Sequence, residues 1–154
     1  GHGHHDYTPF VGGYHAAEAA ERAAEDARRE AERLAAEPVP TGRIEIVGEI
    51  ISIKTHESQY GETLKIMVKD DRGFKVWGTL PGSLADDLFD VWMKREEIDH
   101  ERKGYPFYLG DFGPRYWTRK VRGERVAFTA TVEPSRDDDR FGFFKRPSKA
   151  RLAE

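Results

Sequence analysis

The stretch LKIMVKDDRGFKVWGTLP, residues 64–81, combines one tryptophan with several lysines. Apolar residues occupy alternate positions on both sides of a central turn, which predicts two antiparallel strands. An indole offers a flat face on which a nucleobase stacks, worth ~1–3 kcal/mol per base, and ammonium groups attract phosphates. The outward positions are Lys65, Met67, Lys69, Lys75 and Trp77. Together they predict a surface for single-stranded nucleic acid. The alternative is that Met67 and Trp77 form a secondary apolar cluster beneath a long insertion, with the lysines at its rim.

The turn between these two strands fixes which residues lie side by side. A three-residue loop of Asp71, Arg72 and Gly73 pairs Asp70 with Phe74 and keeps apolar residues opposite apolar residues. A four-residue loop would set apolar residues against lysines. We therefore expect Gly73 to adopt a positive φ in a type I turn with a bulge. In this register Met67 lies across from Trp77, and Lys69 lies across from Lys75.

A second basic and aromatic cluster occupies residues 104–125, GYPFYLGDFGPRYWTRKVRGER. Residues 102–125 contain seven basic residues and two acidic ones. Rings interleaved with cations are typical of grooves that hold single strands without sequence preference. The alternative is that the rings complete a core that a short barrel cannot fill alone, and we expect about half of them to do so. The candidate binding residues here are Arg115, Tyr116, Trp117, Arg119 and Lys120.

The last predicted strand, FGFFKR, carries three phenylalanines followed by two cations. Neighbouring residues of a strand point to opposite faces, so at least one ring faces outward. We expect at least two of the rings to fill the core. Phe143 is the candidate outward ring, and with Lys145 and Arg146 it would extend the basic groove.

Five strands account for the globular part of the chain. RIEIVGEIISIKT changes its apolar phase near Gly48 and Ile51, which predicts a long first strand bent at a bulge. RVAFTATVEPS, residues 125–135, predicts the fourth strand. Residues 81–124 separate the third strand from the fourth, and a connection of this length is usually functional or locally folded. Within it, residues 83–103 predict an amphipathic helix that begins at the N-cap Ser83, with Leu84, Leu88, Val91, Trp92 and Met93 at helical spacing.

The N-terminal quarter of the sequence has a different composition. Residues 1–15 are rich in glycine and histidine and predict a mobile segment. Residues 16–38 predict an alanine-rich helix and linker, with Glu18 and Arg22, and Glu25 and Arg29, spaced for ion pairs. Its apolar face is almost all alanine, so the helix is either a solvated spacer or a weak self-association element. Residues 39–154 then form one domain with an insertion at 82–124.

Three segments carry a resemblance to a known class of domain. VPTGRIEIVGEIISIKT, FKVWGTLPGSL and RGERVAFTATVEPSRDDDRFGFFKRPSKA resemble OB-type domains of actinobacterial phages and their hosts. The resemblance implies an all-β core, a five-stranded OB-fold Greek-key barrel, with the N-terminal helix and the partly helical insertion added to it. It also implies a non-catalytic binding module. The basic C-terminal end differs from the acidic tail of the housekeeping bacterial single-stranded DNA-binding protein.

Several classes of function are disfavoured by the sequence. The absence of cysteine excludes disulfides, thiolate metal sites and a cysteine nucleophile. No phosphate-binding loop, nucleophile elbow or metalloprotease motif is present, so we expect neither an enzyme nor a bound cofactor. His2, His4, His5 and Asp6 can in principle bind a metal, but they lack a preorganised geometry and a tag remnant fits them better, so we expect no metal site. A start at Gly1 instead of Met predicts a fragment or a processed product.

These observations favour a non-catalytic module that binds single-stranded nucleic acid, and we expect that nucleic acid to be DNA. The alternative is a protein-interaction or assembly module of a phage or bacterial complex that self-associates through its N-terminal helix. No apolar run approaches the ~20 residues that span a bilayer, so we expect no membrane partner. The expected location is the cytoplasm, which would be that of the host for a phage protein.

Overall fold

The computed structural model describes residues 4–153, except for the side chains of residues 4–15 and 33. The chain divides into two compact units, residues 1–36 and 37–154. In chain order the elements are α1 (His4–Ala35), β1 (Gly42–Ser58), β2 (Gly61–Asp70), β3 (Lys75–Thr79), α2 (Gly82–Lys103), two short 3-10 helices (Leu109–Asp111 and Tyr116–Arg119), β4 (Arg125–Pro134) and β5 (Phe141–Leu152).

The first unit consists of the long helix α1. The predicted ion pairs are present, at 3.7 Å between Glu18 and Arg22 and at 2.6 Å between Glu25 and Arg29. The helix begins at His4, whereas the sequence predicted a mobile segment up to residue 15. Pro9, Gly12 and Gly13 have low helix propensity, which is why the sequence indicated no helix in this segment. Neither this helix nor α2, over the residues described, is long and apolar enough to cross a bilayer.

The second unit is a closed five-stranded β-barrel in the order β1-β2-β3-β5-β4. All neighbouring strands are antiparallel except β3 and β5, which are parallel. Strand β1 pairs with β4 through its first half and with β2 through its second half. The register shifts between Ile50 and Ser52, so the predicted bent strand is confirmed, with its bulge at Ile51. This bend lets one strand serve both sides of the barrel.

Alternating apolar residues of the strands fill the barrel. The predicted inward face of β4 is confirmed, since Val126, Phe128, Ala130 and Val132 are all buried. Helix α2 adds Leu84, Leu88 and Trp92 to this core, which confirms its amphipathic character. Its predicted N-cap is wrong: the N-cap is Pro81, which has no side-chain cap hydrogen bond, and Ser83 lies inside the first turn of the helix.

The β2–β3 turn has the predicted three-residue loop. Gly73 has a φ of 103°, and Met67, Val68 and Lys69 lie opposite Trp77, Val76 and Lys75. At the base of the turn the buried Asp70 pairs with Arg72 at 2.7 Å, and this hydrogen bond raises the pKa of Arg72. The prediction of the register is therefore confirmed.

Outside the barrel, the same turn holds an exposed ion pair. The guanidinium of Arg125 donates to Asp71 and lowers the pKa of that carboxyl group. A lowered pKa stabilises the fold above the unfolded pKa of Asp71, and that contribution is lost as the pH falls through the folded pKa. Solvent screening keeps the contribution of such an exposed pair small.

Strand β5 is longer than predicted. The sequence placed its end near residue 146, yet it continues to Leu152 and pairs with β4 as far as Val126. Two shifts of register interrupt this pairing, and Arg146 and Lys149 have left-handed backbone conformations with φ of 52° and 54°. A strand that breaks its own alternation twice carries no period-2 signal, so the basic C-terminal segment gave no strand pattern.

Gly48 allows the close approach of β1 and β2, because a Cβ atom there would overlap the carbonyl oxygen of Lys69 and lie 2.8 Å from the Cα of Asp70. We expect Gly48→Ala to lower the free energy of unfolding in urea by ~2 kcal/mol or more. Gly110→Ala is the matched control, since a Cβ atom at Gly110 meets nothing within 4 Å. Equal unfolding midpoints for the two variants would contradict this account of the strand contact.

Candidate nucleic-acid interface

The outer face of the barrel carries a row of apolar side chains across three strands. Met67 on β2, Trp77 on β3 and Phe143 on β5 are direct cross-strand partners. Paired residues point to the same face of a sheet, and the strands lie ~4.8 Å apart. Trp77 is half-buried and Phe143 is 45% exposed. Phe143 is therefore open to a ligand on this face, and the ring of Trp77 beside it is partly exposed.

Lysines lie on both sides of this row. On one side Lys65 pairs with Thr79, and its Nζ donates to Thr79 Oγ1 at 2.8 Å. On the other side Lys69 lies opposite the exposed Lys75. The carboxylate of Glu49, the partner of Lys69 on β1, partly offsets the charge on that side. These residues therefore give one net positive charge on each side of the row.

A depression of about 470 Å³ opens on the Lys65 side, and we call it the strand cleft. It is continuous from β2 through β3 to β5. Five of the residues that the sequence analysis proposed line it together: Lys65, Trp77, Phe143, Lys145 and Arg146. Gly78, Thr79, Phe144 and Pro147 complete the lining. Of the three phenylalanines of β5, Phe144 is buried, Phe141 is half-buried and Phe143 is exposed, so only one fills the core where at least two were expected.

A bulge in β5 turns two consecutive cations toward solvent. In a regular strand one of Lys145 and Arg146 would point into the barrel, but both are exposed. The left-handed conformation of Arg146 breaks the alternation. Arg43 on β1 holds this bulge, because it donates to the Arg146 carbonyl at 3.0 Å and to Ser148 Oγ at 2.6 Å. The bulge thus adds the positive charge of Arg146 to that of Lys145 at the strand cleft.

A second depression of about 660 Å³ lies between β1 and the insertion, and we call it the insertion groove. Its lining contains four cations and no acidic residue. Arg115 also forms an ion pair with Glu62 at the start of β2, which ties the insertion to the barrel. The lining residues are Ile53, Lys54, Thr55, Gly113, Pro114, Arg115, Tyr116, Thr118, Arg119 and Arg122.

Two predicted aromatic contacts in the insertion need correction or refinement. Trp117 is only 5% exposed and meets Phe89 edge-on at 6.2 Å, so no base can stack on it. Tyr116 is half-buried, with its ring 5.0 Å from that of Phe112 and with Lys120 Nζ 5.2 Å above it. These rings pack against Phe89 and Trp92 of α2 and extend the barrel core into the rest of the insertion.

Among the described residues, one group of three side chains has possible metal-ligand atoms close together. Ligand atoms of Glu96, Asp99 and His100 on α2 lie within 4.8 Å of one another. Asp99 pairs with Lys103 at 3.0 Å, which lowers the pKa of Asp99, and His100 Nδ1 lies 2.8 Å from the Glu96 carbonyl. These side chains already contact other groups of α2. The side chains of His2, His4 and His5, the sequence-based metal candidates, lie outside the described residues.

The sequence analysis missed Lys54 and Arg122, which line the insertion groove. The position of Lys54 on the outward phase of β1 was a usable signal, but its relation to the lysines of β2 depends on the bulge at Ile51.

No protein-family model matches the sequence, and no curated protein matches it.

The three tryptophans differ in exposure, which fluorescence can measure. Trp92 and Trp117 are 3% and 5% exposed, whereas Trp77 is half-buried on the outer face. We expect Trp77→Phe to remove most of the emission that acrylamide quenches. In Trp117→Phe, the matched control, total emission should fall while the quenchable part remains. Equal quenching in Trp77→Phe and the unmodified protein would contradict the described position of Trp77.

Proposed function

We propose that this protein binds single-stranded nucleic acid, with DNA preferred, in the strand cleft of an OB-fold barrel, and that it performs no catalysis. The observation that carries the proposal is that the half-buried Trp77 and the exposed Phe143 line one cleft with Lys65, Lys145 and Arg146. The strand order β1-β2-β3-β5-β4 and the helix between β3 and β4 support an OB-fold. The three segments that resemble actinobacterial and phage domains support the same class.

Stacking and charge act together in this proposal. Trp77 and Phe143 lie on neighbouring strands, ~4.8 Å apart, so two successive unpaired bases can each meet a ring. A duplex keeps its bases stacked inside and would offer only phosphates to the same rings. The three cations of the cleft, Lys65 on β2 and Lys145 and Arg146 on β5, then contact the sugar-phosphate backbone. Such a site binds any sequence, because every base has a stacking face.

The charge of the cleft argues against the other common ligand of this barrel type. OB-folds also bind oligosaccharides, which are mostly neutral. The lining of the strand cleft contains three cations and no acidic residue. A neutral sugar gains nothing from Lys145 and Arg146 side by side, whereas a polyanion releases counterions when it binds them. The geometry therefore favours a nucleic acid over a glycan.

Trp77→Ala tests the proposal directly. Titration of the unmodified protein with oligothymidine should quench tryptophan emission and saturate. Loss of one stacking platform should weaken binding, measured by fluorescence anisotropy of labelled oligonucleotide, by ~1–3 kcal/mol, which is roughly 5-fold to 150-fold. The barrel should stay folded, because the ring lies outside the core cluster.

Tyr105→Ala is the matched control, since Tyr105 is 62% exposed but lines neither the strand cleft nor the insertion groove. The affinity of Tyr105→Ala for oligothymidine should equal that of the unmodified protein.

In Lys145→Gln the slope of log affinity against log salt should become shallower by ~0.7, as expected for one lost phosphate contact. Unchanged affinity in Trp77→Ala would remove the stacking role and, with it, this proposal.

A second candidate function is protein interaction or assembly. Several large apolar residues of α2 and the insertion are exposed, among them Ile98, Tyr105, Tyr108 and Leu109. Analytical ultracentrifugation of the full chain and of residues 37–154 separates the two functions. A larger species that depends on residues 1–36, together with no binding of oligothymidine, would favour assembly through α1. A monomer in both cases would exclude self-association through that helix.

A further inference from the structure

We infer that a bound single strand does not end in the strand cleft but continues over β2 and β1 into the insertion groove. This inference rests on the proposed function, because it extends the same ligand. It assigns a binding role to Lys54 and Arg122, and it makes the insertion an extension of the site. The insertion groove would hold the sugar-phosphate backbone, while the strand cleft holds the stacked bases.

The two depressions are joined by one pair of neighbouring residues. Lys54 lines the insertion groove and Lys65 lines the strand cleft. They are direct cross-strand partners on β1 and β2, so their Cβ atoms are ~4.5–5.5 Å apart on the same face of the sheet. Lys65 in turn lies opposite Thr79 on β3. A phosphate that leaves the strand cleft therefore meets the next cation without crossing an uncharged gap.

The charge of the insertion groove fits a polyanion. Lys54, Arg115, Arg119 and Arg122 line it without an opposing carboxylate in the lining. Glu62 pairs with Arg115 from the edge of the groove and leaves three cations for the ligand. Arg119 ends the short helix at residues 116–119, which the buried Trp117 anchors in the core, and Arg122 follows three residues later. The groove is thus both positive and fixed in position.

The dimensions require more than one nucleotide. Crossing from β5 to β1 spans three inter-strand spacings, ~14 Å in total. The volumes of about 470 and 660 Å³ are each in the range of a complete small-ligand site, ~300–1,000 Å³. A ligand that fills both must therefore be an oligonucleotide, and its affinity must rise with length until both are occupied. OB-fold sites of ~4–16 nucleotides are consistent with this span.

The chemistry of the two parts also differs. The strand cleft presents two rings, whereas the one ring of the insertion groove, Tyr116, already packs against Phe112 and Lys120. Occupation of the groove should therefore add salt-dependent affinity with little additional quenching of tryptophan. This difference separates the two parts in one titration series.

The test is the affinity of the full chain for oligothymidine of ~4 and ~12 nucleotides, measured by anisotropy at several salt concentrations. In the unmodified protein the longer strand should bind at least tenfold tighter. In Arg119→Gln this gain should shrink severalfold, and the salt slope for the long strand should become shallower by ~0.7. Arg122→Gln should reduce the gain in affinity and the salt slope in the same way. Because two independent variants are measured, misfolding of one of them leaves the test intact. Lys94→Gln, an exposed lysine of α2 outside both depressions, is the charge-matched control and should match the unmodified protein.

The outcomes separate this inference from the proposed function. The path through the insertion groove is wrong if the short oligonucleotide binds and quenches Trp77 but the long one binds no tighter. It is also wrong if Arg119→Gln and Arg122→Gln keep the full gain in affinity with length. In both cases the proposed binding in the strand cleft is not contradicted. If neither strand binds, the proposed function fails and the path fails with it. A gain that both arginine variants reduce, and that Lys94→Gln does not, supports the path.

Discussion

The position of every outward residue on β2 and β3 depends on one buried carboxylate, that of Asp70. It accepts hydrogen bonds from the Arg72 amide at 2.8 Å and from the Val47 amide at 3.2 Å, so it joins the turn to β1. Asp70 is only 3% exposed, and a buried charge without its partners is costly. A slip of one residue would break these contacts and turn Trp77 into the barrel. The turn therefore sets which side chains can form a binding surface.

Local pattern was enough to predict this hairpin and the barrel strands around it. The turn Asp71–Gly73 and the alternation on either side of it are short-range signals, and β4 has an equally regular inward face. The end of β5 was missed because Arg146 and Lys149 interrupt the alternation. Its pairing with β4 comes from long-range contacts, which no window of sequence contains. The start of α1 at His4 was missed because Pro9, Gly12 and Gly13 lower the helix propensity of the first residues of that helix.

The candidate site was predictable in its strands and poorly predictable in its insertion. Phe143 and Trp77 were chosen from separate segments, and the parallel pairing of β3 and β5 brings them together. Trp117 was a wrong choice, because rings interleaved with cations occur both on binding surfaces and at the edge of a core. The difference lies in α2, whose Phe89 and Trp92 form the other half of the aromatic cluster. Sequence spacing within residues 104–125 contains no information about that partner.

Departures from strand regularity concentrate where the cations do. Arg146 holds a left-handed conformation that costs of order 1–3 kcal/mol for a residue other than glycine, and Arg43 contributes two hydrogen bonds that maintain it. The result is that Lys145 and Arg146 both face the strand cleft. The bulge at Ile51 acts in the same way on β1, because it sets the phase that places Lys54 beside Lys65. The bulge at Ile51 also bends β1 so that it pairs with both β4 and β2, so one irregularity closes the barrel and sets the phase of its outer face.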